Sequence, residues 1–115
     1  MHAAIRRYQV DPGNVDEIMR HVNEGFLPII KDAQGFLAYY ALKAGDGQIA
    51  TVSVFEDQAG AEESIRMAGD YVRDNLASLM PDPPEITAGE VSTHELNLIK
   101  LGIREVKQYA GRHKA

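Results

Sequence analysis

The chain has 115 residues, 44% of them apolar and 25% charged, with a formal net charge of −5 and no cysteine. That is the size of one domain with a core of its own, and it excludes disulfides, thiolate metal sites and a cysteine nucleophile, as expected of a cytoplasmic protein. The acidic balance argues against a nucleic-acid surface, and no apolar run is long enough to span a membrane.

The first residues, Met-His-Ala-Ala-Ile-Arg-Arg, lack the uncharged stretch of a secretion signal. Residues 3–10 read as a strand, ended by the turn residues Asp11-Pro12-Gly13. Asn14 stands three before Glu17, the spacing of a capping box. Val15, Ile18, Met19, Val22, Phe26, Ile29 and Ile30 then recur at three- and four-residue intervals, one helical stripe. Pro28 within it predicts a kink or an end near Leu27, and Gly35 closes the segment.

Residues 35–43 form a short aromatic-rich strand, and Asp46-Gly47 predicts a hairpin into a second strand from Ile49 to Phe55. Asp57 is the N-cap of a second helix, with Ala61, Ile65, Ala68, Val72, Leu76 and Leu79 as its apolar stripe and Pro81, Pro83 and Pro84 as its stop. Residues 85–94 are a β-prone run. Residues 95–115 carry five basic and two acidic residues, a net +3 against −8 for residues 1–94. The charges interleave with Leu96, Leu98, Ile99, Leu101, Ile103, Val106 and Tyr109, which marks an amphipathic segment rather than a nucleic-acid tail. Ile99, Leu101 and Ile103 alternate like a strand, while Leu96, Ile99, Ile103, Val106 and Ala110 make a helical seam. Length favours the helix, packed on the sheet edge or on a partner subunit.

Two β-α-β units with right-handed crossovers give a four-stranded antiparallel sheet with both helices on one face. This is the ferredoxin-like βαββαβ α+β sandwich, assigned to residues 1–94, with 95–115 as a C-terminal extension. In the second strand Phe36, Ala38, Tyr40 and Leu42 fall on one side and Leu37, Tyr39 and Ala41 on the other, so both faces are apolar. A solvated face would alternate with charge. A homodimer, sheet against sheet, is the expected cover.

With Gly35-Phe36-Leu37-Ala38-Tyr39-Tyr40 in the second strand and Val52-Ser53-Val54-Phe55-Glu56-Asp57 ending the third, the chain resembles the dimeric α+β barrel proteins of the antibiotic biosynthesis monooxygenase type. The resemblance covers residues 3–94 as architecture. It implies two sheets packed face to face across a dimer and a pocket between helices and sheet. Relatives with oxygenase activity often carry Trp and then a helical His where this chain has Phe55-Glu56-Asp57, and its second helix has no His. A haem degrader's first-strand Asn is replaced by Arg6-Arg7.

Candidate site residues follow from side-chain chemistry. Tyr8, Tyr40, Phe55 and Tyr71 are candidates to line a pocket for a flat aromatic ligand, with phenols for orientation. Tyr71 lies beside the second helix's stripe, where helix meets sheet. His21, one step off the first helical stripe, is a candidate base. A register placing Arg6 opposite Glu90 would make a cross-strand ion pair and set His2 opposite His94. No pair of His has ligand spacing on one element, so neither a metal nor any other cofactor is expected. Glu62, Glu63, Asp70 and Asp74, with Arg66 and Arg73, read as a solvated helix face. Two functions remain open: a cofactor-independent monooxygenase of an aromatic or quinol-like small molecule, or a non-enzymatic ligand-binding or assembly module. The missing Trp and helical His weigh toward the second.

Overall fold

The computed structural model describes residues 1–102. Strand β1 (His2–Gln9) leads through a short turn into helix α1 (Val15–His21), a π-helical turn (Val22–Phe26) and α2 (Leu27–Ile30). The hairpin β2 (Phe36–Gly45) and β3 (Gln48–Phe55) follows, then α3 (Gln58–Tyr71), a second π-helical turn (Val72–Leu76) and β4 (Glu85–Glu90). The four strands form one antiparallel sheet in the order β2-β3-β1-β4. This is the ferredoxin-like α+β arrangement that the order of elements predicts.

Local chemistry explains most boundaries. Asp57 caps α3 by accepting a hydrogen bond from the Gly60 N–H at 2.8 Å. The hairpin turns on Asp46 (φ 53°) and Gly47 (φ 79°), two consecutive left-handed residues that match the twist of the flanking strands. The predicted capping box does not form: Asn14 is already helical and makes no side-chain cap, and Asp11 instead accepts from Gly13 N–H at 2.9 Å. At Pro28 the helical course neither ends nor breaks. The preceding turn widens, with Leu27 N–H donating to the Val22 carbonyl, so a residue without an N–H is accommodated.

Three expectations are corrected. Strand β4 ends at Glu90 rather than 94: Glu90 pairs with His2, the first residue of β1, and the Val91 N–H donates to the Met1 carbonyl. The β1–β4 register sets His2 opposite Glu90 and Arg6 opposite Ile86, four residues from the expected pairing, so Arg6 does not stand opposite Glu90 nor His2 opposite His94. A bulge between Phe36 and Ala38 moves Phe36 to the face of Tyr39, against Phe55 at a ring separation of 5.8 Å.

Beyond β4, residues 98–102 form a single turn that leaves Ile99 and Leu101 exposed. The remainder of the expected C-terminal helix lies outside the described residues.

Candidate functional site

Alternation along the strands sends Ala4, Arg6 and Tyr8 of β1, and Ile49, Thr51, Ser53 and Phe55 of β3, toward the helices, and all are buried. The core they build is split. One apolar cluster gathers Tyr8, Ile18, Ile49, Leu76 and Met80, and another gathers Phe26, Ile30, Phe55, Ala61 and Ala68. Between them runs a polar seam across the middle of the sheet, where Arg6 pairs with Thr51 and Ala4 with Ser53.

Arg6 is 2% exposed and is, among the described residues, the largest fully buried side chain. Its Nε and Nη1, the Thr51 Oγ1 and the Ser53 Oγ have no hydrogen-bond partner, and among the described residues no carboxylate forms a salt bridge with it. Elsewhere polar groups are satisfied in the ordinary way. The buried Ser64 hydroxyl donates to the Ala61 carbonyl at 2.6 Å. Arg66 bridges Glu63 and Asp70 on the surface of α3, and Arg73 pairs with Asp74, the solvated face expected from sequence. A buried charge without a counter-ion costs several kcal/mol, and a fold selected for stability alone would replace it with an apolar residue. An orphaned buried cation therefore marks a site.

Aromatic rings surround the seam. The Phe26 ring contacts Tyr39 edge-on at 5.8 Å and Tyr71 at 5.5 Å. Burial pushes the Tyr8 and Tyr39 phenols above their ordinary pKa, while the nearby Arg6 charge pulls both the other way. Near neutral pH both phenols are protonated donors, not bases. Guanidinium, phenol and hydroxyl donors converge in a region of low dielectric, the kind of arrangement that stabilises negative charge developing on a ligand oxygen.

Two spaces meet this seam. An inner chamber of about 30 Å³ lies under Tyr8, Phe26, Tyr39, Thr51 and Tyr71. It holds a water or two and no more. A groove of about 420 Å³ runs between α3, the proline-rich loop and β4, with Ile65, Val72, Pro84 and Ile86 among its walls. A site for a drug-sized ligand needs roughly 300 Å³ or more, so only the groove is large enough. Arg6, Tyr8, Val72 and Met80 belong to both walls, placing the guanidinium where chamber and groove meet. Val22 and Phe26 of the first π-helical turn and Val72 and Leu76 of the second line the chamber. Such widened turns are frequent at functional sites. Gly25 is where helix and ring come closest: a Cβ there would collide with the Tyr71 phenol, which donates a long 3.4 Å hydrogen bond to the His21 carbonyl.

The residues nominated from sequence are divided by this geometry. Tyr8 lines chamber and groove, and Tyr71 lines the chamber. Tyr40 is 53% exposed on the opposite face of the sheet, because the pleat that turns Tyr39 inward turns its neighbour outward. Phe55 is buried in the second apolar cluster and lines a separate cavity with Gln34, Gly60 and Glu63, not the chamber or the groove. His21 meets Tyr71 through its backbone carbonyl, and its imidazole is not among the residues lining chamber or groove. Sequence reasoning missed Arg6, Tyr39, Thr51 and Ser53 as a group. The signal was present: Ala4, Arg6 and Tyr8 share one strand face, and a cation on a face otherwise apolar is anomalous. Among the described residues there is no cluster of three His, Asp or Glu able to hold a metal, and no helix is long and apolar enough to cross a membrane.

Fold and site define a ferredoxin-like α+β protein with a ligand-sized groove between helices and sheet. The model of the antibiotic biosynthesis monooxygenase family matches residues 1–64, more than half of the 115-residue chain, and the chain belongs to that family. Among solved structures, a protein of unknown function from Nitrosomonas europaea is 26% identical, with a TM-score of 0.70 over 83% of this chain and 92% of that one. A monooxygenase of Streptomyces coelicolor, solved in complex with nanaomycin D, shares the fold at 19% identity and a TM-score of 0.66, over 83% and 90% of the two chains. A conserved protein of Methanosarcina mazei matches at 15% identity and a TM-score of 0.63, over 77% and 90%. No curated protein matches the sequence.

Proposed function

We propose that the protein is a cytoplasmic, cofactor-independent monooxygenase of an aromatic, easily ionised small molecule of the quinol or anthrone type, working as a homodimer. One observation carries this: a buried guanidinium without a carboxylate partner, set among protonated phenols at the head of a groove large enough for such a ligand. A substrate carbon acid loses its proton to water, and Arg6 holds the resulting enolate oxygen, with the Tyr8 and Tyr39 phenols donating to it; the peroxide formed later takes a proton back. The carbanion form gives an electron to dioxygen, and recombination makes a carbon–oxygen bond. Loss of water then leaves a carbonyl: R₂CH₂ + O₂ → R₂C=O + H₂O. The substrate carbon supplies all four electrons that reduce dioxygen, so the balance calls for no external reductant. The surrounding apolar walls exclude water and strengthen each of these interactions.

The dimer is supported by the sheet's other face, where Tyr40 and Leu42 are about half exposed alongside the part-buried Ile5, Val52 and Val54. A second reading, binding without catalysis, is favoured by the absence of any His, Asp or Glu from the chamber wall. Dithranol, an anthrone, separates the two. Oxygen uptake and anthraquinone formation above the protein-free rate support the monooxygenase, and saturable binding with no added uptake supports the binding module.

A further inference from the structure

The chamber has a charge that nothing in the described chain balances. Arg6 is the only ionisable side chain other than tyrosine in its wall. The groove adds Arg73, which pairs with Asp70 and Asp74, and Asp82. At the chamber itself the charge presented to a ligand is a single positive one. Beside it lie four polar atoms with no partner, two nitrogens that can only donate and two hydroxyls that can also donate. A neutral quinol would leave the buried cation uncompensated and a dianion would leave an excess negative charge, whereas a monoanion neutralises it.

We infer that Arg6 anchors an organic monoanion: the ligand is ionised when it binds and carries, at one end of a flat apolar body, the oxygen of an acidic enol or a carboxylate. The charged head lies against Arg6, at the mouth of the chamber that Thr51 lines, and the body lies along the groove between Val72, Met80 and Ile86. This rests on the groove being the substrate site and goes beyond the proposed function, because it makes ionisation before binding, not a quinol framework, the basis of recognition. It also removes the need for a side-chain base in the chamber, since the substrate arrives already deprotonated at oxygen.

The test is anaerobic titration calorimetry of the full chain with lawsone, a hydroxynaphthoquinone ionised at neutral pH, against menadione, its neutral methyl counterpart, and with naphthoate as the carboxylate arm. Lawsone is expected to bind at least about tenfold tighter than menadione, a margin set by charge-assisted hydrogen bonds. The preference is expected to vanish in Arg6→Met and to shrink in Thr51→Val. Should Arg6→Met fail to fold, the wild-type protein still decides. Lawsone affinity must fall as the buffer is taken below the pKa of its enol, while menadione affinity stays level. Naphthoate binding with lawsone excluded assigns the head as a carboxylate, and the reverse assigns an enol. Neither lawsone nor naphthoate binding more tightly than menadione, or an anion's affinity left unchanged in Arg6→Met, overturns the inference. Its failure is distinct from that of the monooxygenase reading. Anion binding without oxygen uptake in air sinks only the enzyme, and uptake on dithranol without anion preference sinks only the anchor.

Discussion

Replacing Thr51 with Val should stabilise the protein while weakening its ligand site. The Thr51 side chain is 4% exposed, it pairs with Arg6 across the β1–β3 ladder, and its Oγ1 has no hydrogen-bond partner. A buried hydroxyl in that state costs about 1–3 kcal/mol. Valine has the same shape, puts a methyl group where the oxygen was and suits a central strand at least as well. The expected gain is about 1 kcal/mol, which for a domain of this size raises Tm by roughly 4 °C. Thermal unfolding followed by circular dichroism measures it, at one fixed protein concentration because dimer stability depends on concentration. Lawsone affinity, measured on the same samples, should fall. A loss of more than about 1 kcal/mol in Thr51→Val would show that the hydroxyl is held in the folded protein. The seam would then be an ordinary buried network and not an unfilled site.

Four other outcomes follow from the geometry. Gly25→Ala brings a methyl group into the Tyr71 phenol and should destabilise by about 1–3 kcal/mol, read as a lower midpoint in urea. Tyr40→Asp puts charge on the open sheet face and should yield a folded monomer by light scattering; an unchanged dimer would place the interface elsewhere. The folded pKa of Tyr8 and Tyr39 lies above the unfolded value, so their contribution to stability is complete below about pH 10 and is lost as pH rises through the folded pKa. Tm should therefore be level with respect to these groups up to that point and fall above it, with two phenols ionising late by absorbance. The purified protein should show no visible absorption band, and dialysis against chelator should leave dithranol oxidation unchanged.

Much of the fold was legible because its signals are local. Periodicity, the Asp46-Gly47 turn and the Asp57 cap each depend on neighbouring residues, and each is found where the pattern puts it. What the sequence hid was registration between distant strands. The β1–β4 pairing is fixed by where β1 starts, and an error of four residues moved Arg6 from a supposed ion pair with Glu90 to an isolated place opposite Ile86. The same error concealed the candidate site, since an Arg expected in a cross-strand ion pair attracts no further question. Tyr40 was nominated and Tyr39 overlooked for a related reason: with both faces of β2 apolar, alternation alone does not say which face meets the helices. Tyr8 and Tyr71 both stand where helix meets sheet, which is why side-chain chemistry and periodicity were enough to nominate them for the chamber wall.

The most direct test of the account is single-turnover oxidation of dithranol under isotopically labelled dioxygen, comparing wild type with Arg6→Met. The account predicts one labelled oxygen atom in each anthraquinone formed by the wild-type protein, at a rate above the protein-free control. It also predicts loss of that excess rate in Arg6→Met, with the fold intact by circular dichroism. Unlabelled product, or an Arg6→Met protein that oxidises dithranol as fast as wild type, would contradict it.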